Sequence, residues 1–172
     1  GVSMVDAQVA ASADDGGWDS GLTNFSNNST QIDYGSDGTC HMFARWTGIS
    51  IPAGATIKNS YVQVYVDRAA AVVGRLYMND AATPTAPTTY ATANAKVKTS
   101  AYVSWTIPAT IGWAQSGDIS AVIQELVNSY GAFSNGAMMM LLISDLSDPD
   151  YTAIRAYDYT GNLHGARLHI EW

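Results

Sequence analysis

Between Ser60 and Asp67 the chain alternates strictly. Val62, Val64 and Val66 fall on one side of an extended segment, and Tyr61, Gln63, Tyr65 and Asp67 fall on the other. A period of two residues is what a half-buried antiparallel strand shows. A second such segment, His41–Thr47, precedes it, and Ile51-Pro52-Ala53-Gly54-Ala55-Thr56-Ile57 connects the two. This pair constrains the fold more than any other feature of the chain.

Composition points the same way. Only 13% of the 172 residues are charged, roughly half the usual share of about 25%. Asp outnumbers Glu thirteen to two, and Gly, Ser, Thr, Asn and Tyr are abundant. These residues build turns and strands, whereas the usual helix-surface residues Glu, Lys and Arg are scarce. A chain of this length can bury a core without disulfides or metals, and the single Cys40 rules out an internal disulfide framework.

Further strands are expected at Met4–Ala13, around Ile32 and Tyr34, and at Val72–Asn79, Ala95–Lys98, Ala101–Ile107, Ala153–Asp158 and Arg167–Trp172. Asp14-Asp15-Gly16-Gly17 is expected to break the first of them, and Asp80–Thr89, with two prolines, to be a loop. Met138–Ser144 is a continuous apolar run, as expected of a strand buried on both faces. One short helix is expected near residues 118–129. Asp118 or Ser120 caps it, Ile119, Val122, Ile123, Leu126 and Val127 fall at helical spacing, and Gly131 stops it. With no internal repeat or linker, residues 1–172 read as one all-β domain, a jelly-roll β-sandwich with one short α-helix.

The succession Phe43-Ala44-Arg45-Trp46, the Pro-Gly connector, the strand from Ser60, Ser104-Trp105, the helix Asp118–Asn128, the strand Met138–Ile143 and the closing Leu168-His169-Ile170 resembles the DNRLRE-type, disaggregatase-related jelly-roll domain family. The resemblance covers roughly residues 41–172 and implies the same fold. It also implies a carbohydrate-binding-module-like protein, because the family includes modules appended to polysaccharide-degrading enzymes. Similar stand-alone chains look like virion or cell-surface proteins of bacteriophages and microbes. The matching segments are structural and carry no activity across.

A net charge of −7, with eight Lys and Arg scattered singly from Arg45 to Arg167, argues against nucleic acid and against an anionic membrane surface. No run of 18 apolar residues is present, so no membrane insertion is expected. His41, His164 and His169 lack the spacing of a metal motif, and no Gly-flanked serine nucleophile or phosphate loop occurs. The chain is therefore not expected to be an enzyme.

Two groups of residues remain as candidate sites. Asp14, Asp15 and Asp19 crowd an early loop and Asp145, Asp148 and Asp150 a late one. Oxygen-rich loops suit calcium, although Asp in turns also bonds its own backbone. No cofactor is required; structural calcium is the candidate ion, and the family resemblance supports it. Among the aromatics, Tyr61, Gln63, Tyr65 and Tyr77 are expected to form a shallow sugar platform or a protein contact, with Tyr61 and Tyr65 about 7 Å apart. Trp18 and Trp113 are expected to be exposed stackers, whereas Trp46, Trp105 and Trp172 sit within strands and should be buried.

The resulting expectation is a non-enzymatic surface structural or decoration protein of a virion (phage head or tail) or a microbial cell surface, oligomeric and acting on a protein partner. The alternative is a carbohydrate-binding module for a polysaccharide, assisted by calcium. Either places the chain on a virion or in the extracellular or cell-surface space.

Overall fold

The computed structural model describes residues 1–145 and 149–172. In chain order they form β1 (Met4–Gln8), a 3-10 turn (Ser12–Asp14), β2 (Asp15–Asp19), β3 (Asn24–Ser26), β4 (Gln31–Gly35), β5 (Cys40–Ile51), β6 (Asn59–Val66) and β7 (Val72–Met78). The helix α1 (Tyr90–Asn94) follows, then β8 (Val103–Ile107), β9 (Gly112–Gln115), α2 (Ser120–Tyr130), β10 (Phe133–Ser144), β11 (Tyr151–Arg155) and β12 (Arg167–Glu171). Strand makes up 46% of the chain and helix 11%, so the expected all-β class is what the chain adopts.

The antiparallel ladders form one continuous sheet in two groups, joined where β4 meets β5 at Gly35↔Cys40. In the first, β6 pairs along one edge with β9 (Gln63↔Gln115 to Val66↔Gly112) and along the other with β12 (Asn59↔Glu171 to Gln63↔Arg167). β1 lies outside β12. Beyond the end of β12, β11 takes up the same edge of β6 at Ile154↔Val66, and β4 lies outside β11. β11 and β12 are thus one line of strand broken by the excursion 156–166, and β1 and β4 are a second line broken by the excursion 9–30. The N–H of Val9 donates to the Ala166 carbonyl at 3.0 Å, and that of Ala156 to the Thr30 carbonyl at 2.9 Å, so pairing continues up to each break.

The second group runs β8-β7-β10-β5-β2-β3, with the twelve-residue β10 between β7 and β5. Both groups contribute to one buried cluster. Val62, Val64, Val66, Leu168 and Ile170 come from the first, and Met42, Ala44, Trp46, Leu76, Met138, Met140 and Leu142 from the second. Two layers facing each other across an apolar interior make the sandwich architecture the reading these ladders support.

The alternating stripe of β6 and the helical stripe of α2 behave as their periods require. Val122, Ile123, Leu126 and Val127 of α2 all enter the main core. Asp118, just before α2, accepts from the N–H groups of Ser120 at 2.9 Å and Ser60 at 3.2 Å, fixing the helix start to β6. β10 is buried on both faces, as its continuous apolar run implies. Met138, Met140 and Leu142 face the main core, while Met139 and Leu141 face a second cluster with Trp18, Phe43 and Ala93.

Local expectations differ from the structure at several points, and the strand β9 has no counterpart among them. Asp15-Gly16-Gly17 does not end strand structure; it is the start of β2. The glycines serve close packing, because a Cβ on Gly16 would lie 2.2 Å from the Ser26 carbonyl oxygen. Residues 95–98 form only an isolated bridge, Asn79↔Lys98. The four-residue β9 has too little sequence to show a period. A second helix, α1, follows the expected loop; Thr89 and Thr92 close a reciprocal capping box at its start.

Candidate functional site

The register of the first ladder group lays its outward side chains out in rows. One row runs Asp6, His169, Tyr61; the next runs Gln8, Arg167, Gln63, Gln115; the third joins Tyr65 to Trp113. Arg155 belongs to the third row as well, since Ile154 opposes Val66 and the Arg155 guanidinium lies 4.2 Å from the Tyr65 ring centre. Four of the six expected contact residues, Tyr61, Gln63, Tyr65 and Trp113, therefore share this face, and all four are half-buried. A four-residue separation at about 3.3 Å per residue puts Tyr61 and Tyr65 about 13 Å apart, not 7 Å, with the Gln63 row between them.

The excursion 156–166 folds back over one end of this face. Gln8 holds it by donating Nε2 to the carbonyls of Leu163 at 2.9 Å and Gly165 at 3.0 Å. His164 then stands with its ring centre 4.2 Å from that of Tyr65, 6.0 Å from Trp113 and 5.6 Å from Tyr159. Arg155 also lies over Tyr159 at 4.0 Å, and both Nε (2.9 Å) and Nη2 (2.8 Å) reach Oδ1 of Asp67. Gln31 donates to the other oxygen of Asp67. On the next row Arg167 lies 3.9 Å from the centre of the Trp113 ring. The result is a lattice of aromatic and cationic groups in which each ring already packs against a neighbouring ring, edge-on or tilted, or under a guanidinium.

At the other end, His169 stacks on Tyr61 with ring centres 4.7 Å apart. Its Nδ1 is 2.6 Å from Asp6 and its Nε2 3.0 Å from Glu171. Burial pulls the pKa of His169 down, but the hydrogen bonds to the two carboxylates outweigh it and hold the ring above the ordinary histidine value. A recess of about 240 Å³ lies here, bordered by Asp6, Gln8, Tyr61, Gln63, Arg167 and His169.

The other two expected contact residues lie elsewhere. Trp18 is not an exposed stacker; it is 4% exposed. Pairing of β2 with β5 sets it opposite His41, ring centres 5.3 Å apart, in the second cluster that α1 and Phe25 help to cover. Tyr77 is half-buried at the border of that cluster, 5.2 Å from the ring of Tyr102, on the opposite outer face of the sandwich. Trp46 and Trp105 are buried as expected, and Trp172 is half-buried against the core.

The acidic loops are drawn into separate contacts. Asp14 pairs with Arg45 at 3.0 Å, and Asp19 Oδ1 accepts from the N–H groups of Gly21 and Leu22. Asp150 Oδ1 pairs with Arg68 at 3.0 Å and accepts from its neighbour Tyr151 N–H at 2.8 Å. Asp145 is exposed and donates its N–H to the Val73 carbonyl at 3.0 Å; Asp148 lies outside the described residues. Asp15 differs from all of these: it is 1% exposed, and burial pushes its carboxyl up to about 7. Among the described residues no three His, Cys, Asp or Glu side chains are grouped to hold a metal ion, and no helix is long and apolar enough to cross a membrane.

Arg167 and His169 were within reach of sequence reasoning, because alternation with the inward Leu168 and Ile170 sends them to the outer face with Tyr61 and Gln63. Tyr159 and His164 gave no signal, since only the path of the excursion brings them there. No known family model matches this chain, and no curated protein matches it either.

Proposed function

We propose that this chain is a non-enzymatic structural or decoration protein of a virion or a microbial cell surface, and that it assembles with further copies of itself through the outer face of the β1-β12-β6-β9 ladder. The observation that carries this reading is the lattice of Tyr61, Tyr65, Trp113, Tyr159, Arg155 and Arg167 on one sheet face. Tyr, Trp and Arg are the residues that dominate protein contact energies. Their rings are held in place by one another, so little side-chain freedom is lost on contact.

The face carries both signs of charge, which favours a second copy as the partner. Arg167 stands one row from the Asp6–His169–Glu171 group. A two-fold pairing of this face with itself sets the cation of each copy towards the carboxylates of the other, the geometry of an isologous interface. The test is sedimentation velocity over a range of concentrations. Wild type should sediment as a reversible dimer or larger, and a folded Trp113→Ala variant should not.

A polysaccharide is the second reading, favoured by the recess that Tyr61, Gln63 and Arg167 border. Sugar rings need open aromatic faces, and here Arg155, Arg167 and His164 occupy them, so recognition would rest on hydrogen bonds. Affinity electrophoresis against neutral and acidic polysaccharides, with calcium and then with EDTA, separates the readings. Retardation of a chain that sediments as a monomer favours the glycan; no retardation of a chain that self-associates favours assembly.

A further inference from the structure

The two excursions that break the first ladder meet at Asp15. Its Oδ2 accepts the N–H of Tyr157, the second residue of the excursion 156–166, at 2.8 Å. Its Oδ1 has no hydrogen-bond partner among the described residues, and the residue is 1% exposed. The ionisable groups acting on it are both acidic: Asp158, which accepts from the Ser12 hydroxyl at 2.7 Å, and Asp14, which is bonded to Arg45. A neutral carboxyl fits this setting, because an ionised one would be a buried charge with one hydrogen bond and two like charges beside it.

We propose that Asp15 is a proton-operated latch on the excursion 156–166, closed when its carboxyl is neutral and loosened when it ionises. The excursion carries Tyr159 and His164 onto the outer sheet face, so the latch governs how completely the lattice around Tyr65 is assembled. The latch acts on the chain's own conformation and operates whichever partner uses that face.

Other anchors set the limits of the motion. Gln8 holds the far end through the carbonyls of Leu163 and Gly165, and Val9 N–H is paired with Ala166. Loosening is therefore expected from Ala156 towards Tyr159 while the end near Ala166 stays paired. The sign follows from linkage. Asp15 ionises at about 7 in the closed state, and at the ordinary Asp value of about 3.9 once opening exposes it to water. Opening is then favoured progressively from about pH 4 to about pH 7, roughly tenfold per unit, and levels off above that.

The experiment is amide hydrogen exchange of the whole chain between pH 4 and 9, corrected for intrinsic exchange and referenced to amides of β10. Wild type should show opening of residues 156–160 rising up to about a thousandfold across that window and then levelling. Asp15→Asn, which keeps the acceptor for Tyr157 but cannot ionise, should give a flat profile. Asp158→Asn removes one facing carboxylate and should level off at lower pH, with a smaller rise. A flat profile in wild type, or the same rise in Asp15→Asn as in wild type, would overturn the latch; so would an Asp158→Asn profile superimposable on wild type.

Discussion

Trp46 donates its indole N–H to the carbonyl of Ala166 at 2.9 Å, a buried bond that ties β5 to the end of the excursion just before β12. The same carbonyl accepts from Val9, so the two broken lines of strand and the facing sheet meet at one oxygen. Trp46→Phe removes one donor, leaves the carbonyl paired with Val9, and opens a small cavity. A loss of about 2–4 kcal/mol in unfolding free energy is expected, measured by urea denaturation with an unchanged m-value.

Stability against pH carries two opposed contributions. Asp15, raised to about 7 chiefly by burial, binds its proton more tightly folded than unfolded, so its contribution is full below about pH 4 and is lost as pH rises to 7. His41, lowered to about 4 by burial and by Lys98, contributes fully above 6.5 and loses that as pH falls towards 4. The two offset one another between pH 4 and 6.5. Asp15→Asn should unmask the histidine limb, and its stability relative to wild type should grow by about 4 kcal/mol from pH 4 to pH 7. A constant difference across that range would mean that Asp15 ionises no differently in the folded and unfolded chain.

Gly74 lies on β7 directly beneath Tyr34. A Cβ there would fall 1.6 Å from the Tyr34 hydroxyl oxygen and 2.6 Å from the Ile143 carbonyl oxygen. Gly74→Ala should therefore cost about 3 kcal/mol or more, or prevent folding. Gly117→Ala, where a Cβ meets nothing within 4 Å, should change stability by less than about 0.5 kcal/mol. Thermal melts of the pair provide the comparison.

His169, between Asp6 and Glu171, should titrate above 6.5 in an NMR pH series. Asp6→Asn should move its midpoint down, since one of the two charge-assisted bonds is lost. The stabilising effect of the charged ring on β1 is present below 6.5 and fades as pH passes through the raised value. A midpoint unmoved by the substitution would mean that Asp6 does not hold the ring in solution.

Much of this architecture is written in local periods. Val62, Val64 and Val66, the apolar run of β10 and the stripe of α2 each declare one face, and burial follows the declared face. Gly16 and Gly17 mislead because a glycine that admits a neighbouring backbone looks, in sequence, like a glycine that ends a strand. Trp18 misleads with them, since its burial depends on α1 and β3 arriving from elsewhere to cover β2. The contact face is legible along β6 and β12, where alternation assigns it. It is illegible in the excursion 156–166, whose His164 reaches Tyr65 and whose Tyr159 reaches His164 through tertiary bonds, among them those made by Gln8 and Asp15.

The proposed role rests on the outer face of the β1-β12-β6-β9 ladder joining copies of the chain. Sedimentation equilibrium of wild type beside Arg167→Glu tests it most directly, because that exposed cation contributes nothing to the core. Wild type should self-associate reversibly, and the charge-reversed chain should be a monomer with unchanged circular dichroism. Wild type that stays monomeric at every concentration, or self-association untouched by the reversal, would contradict that role.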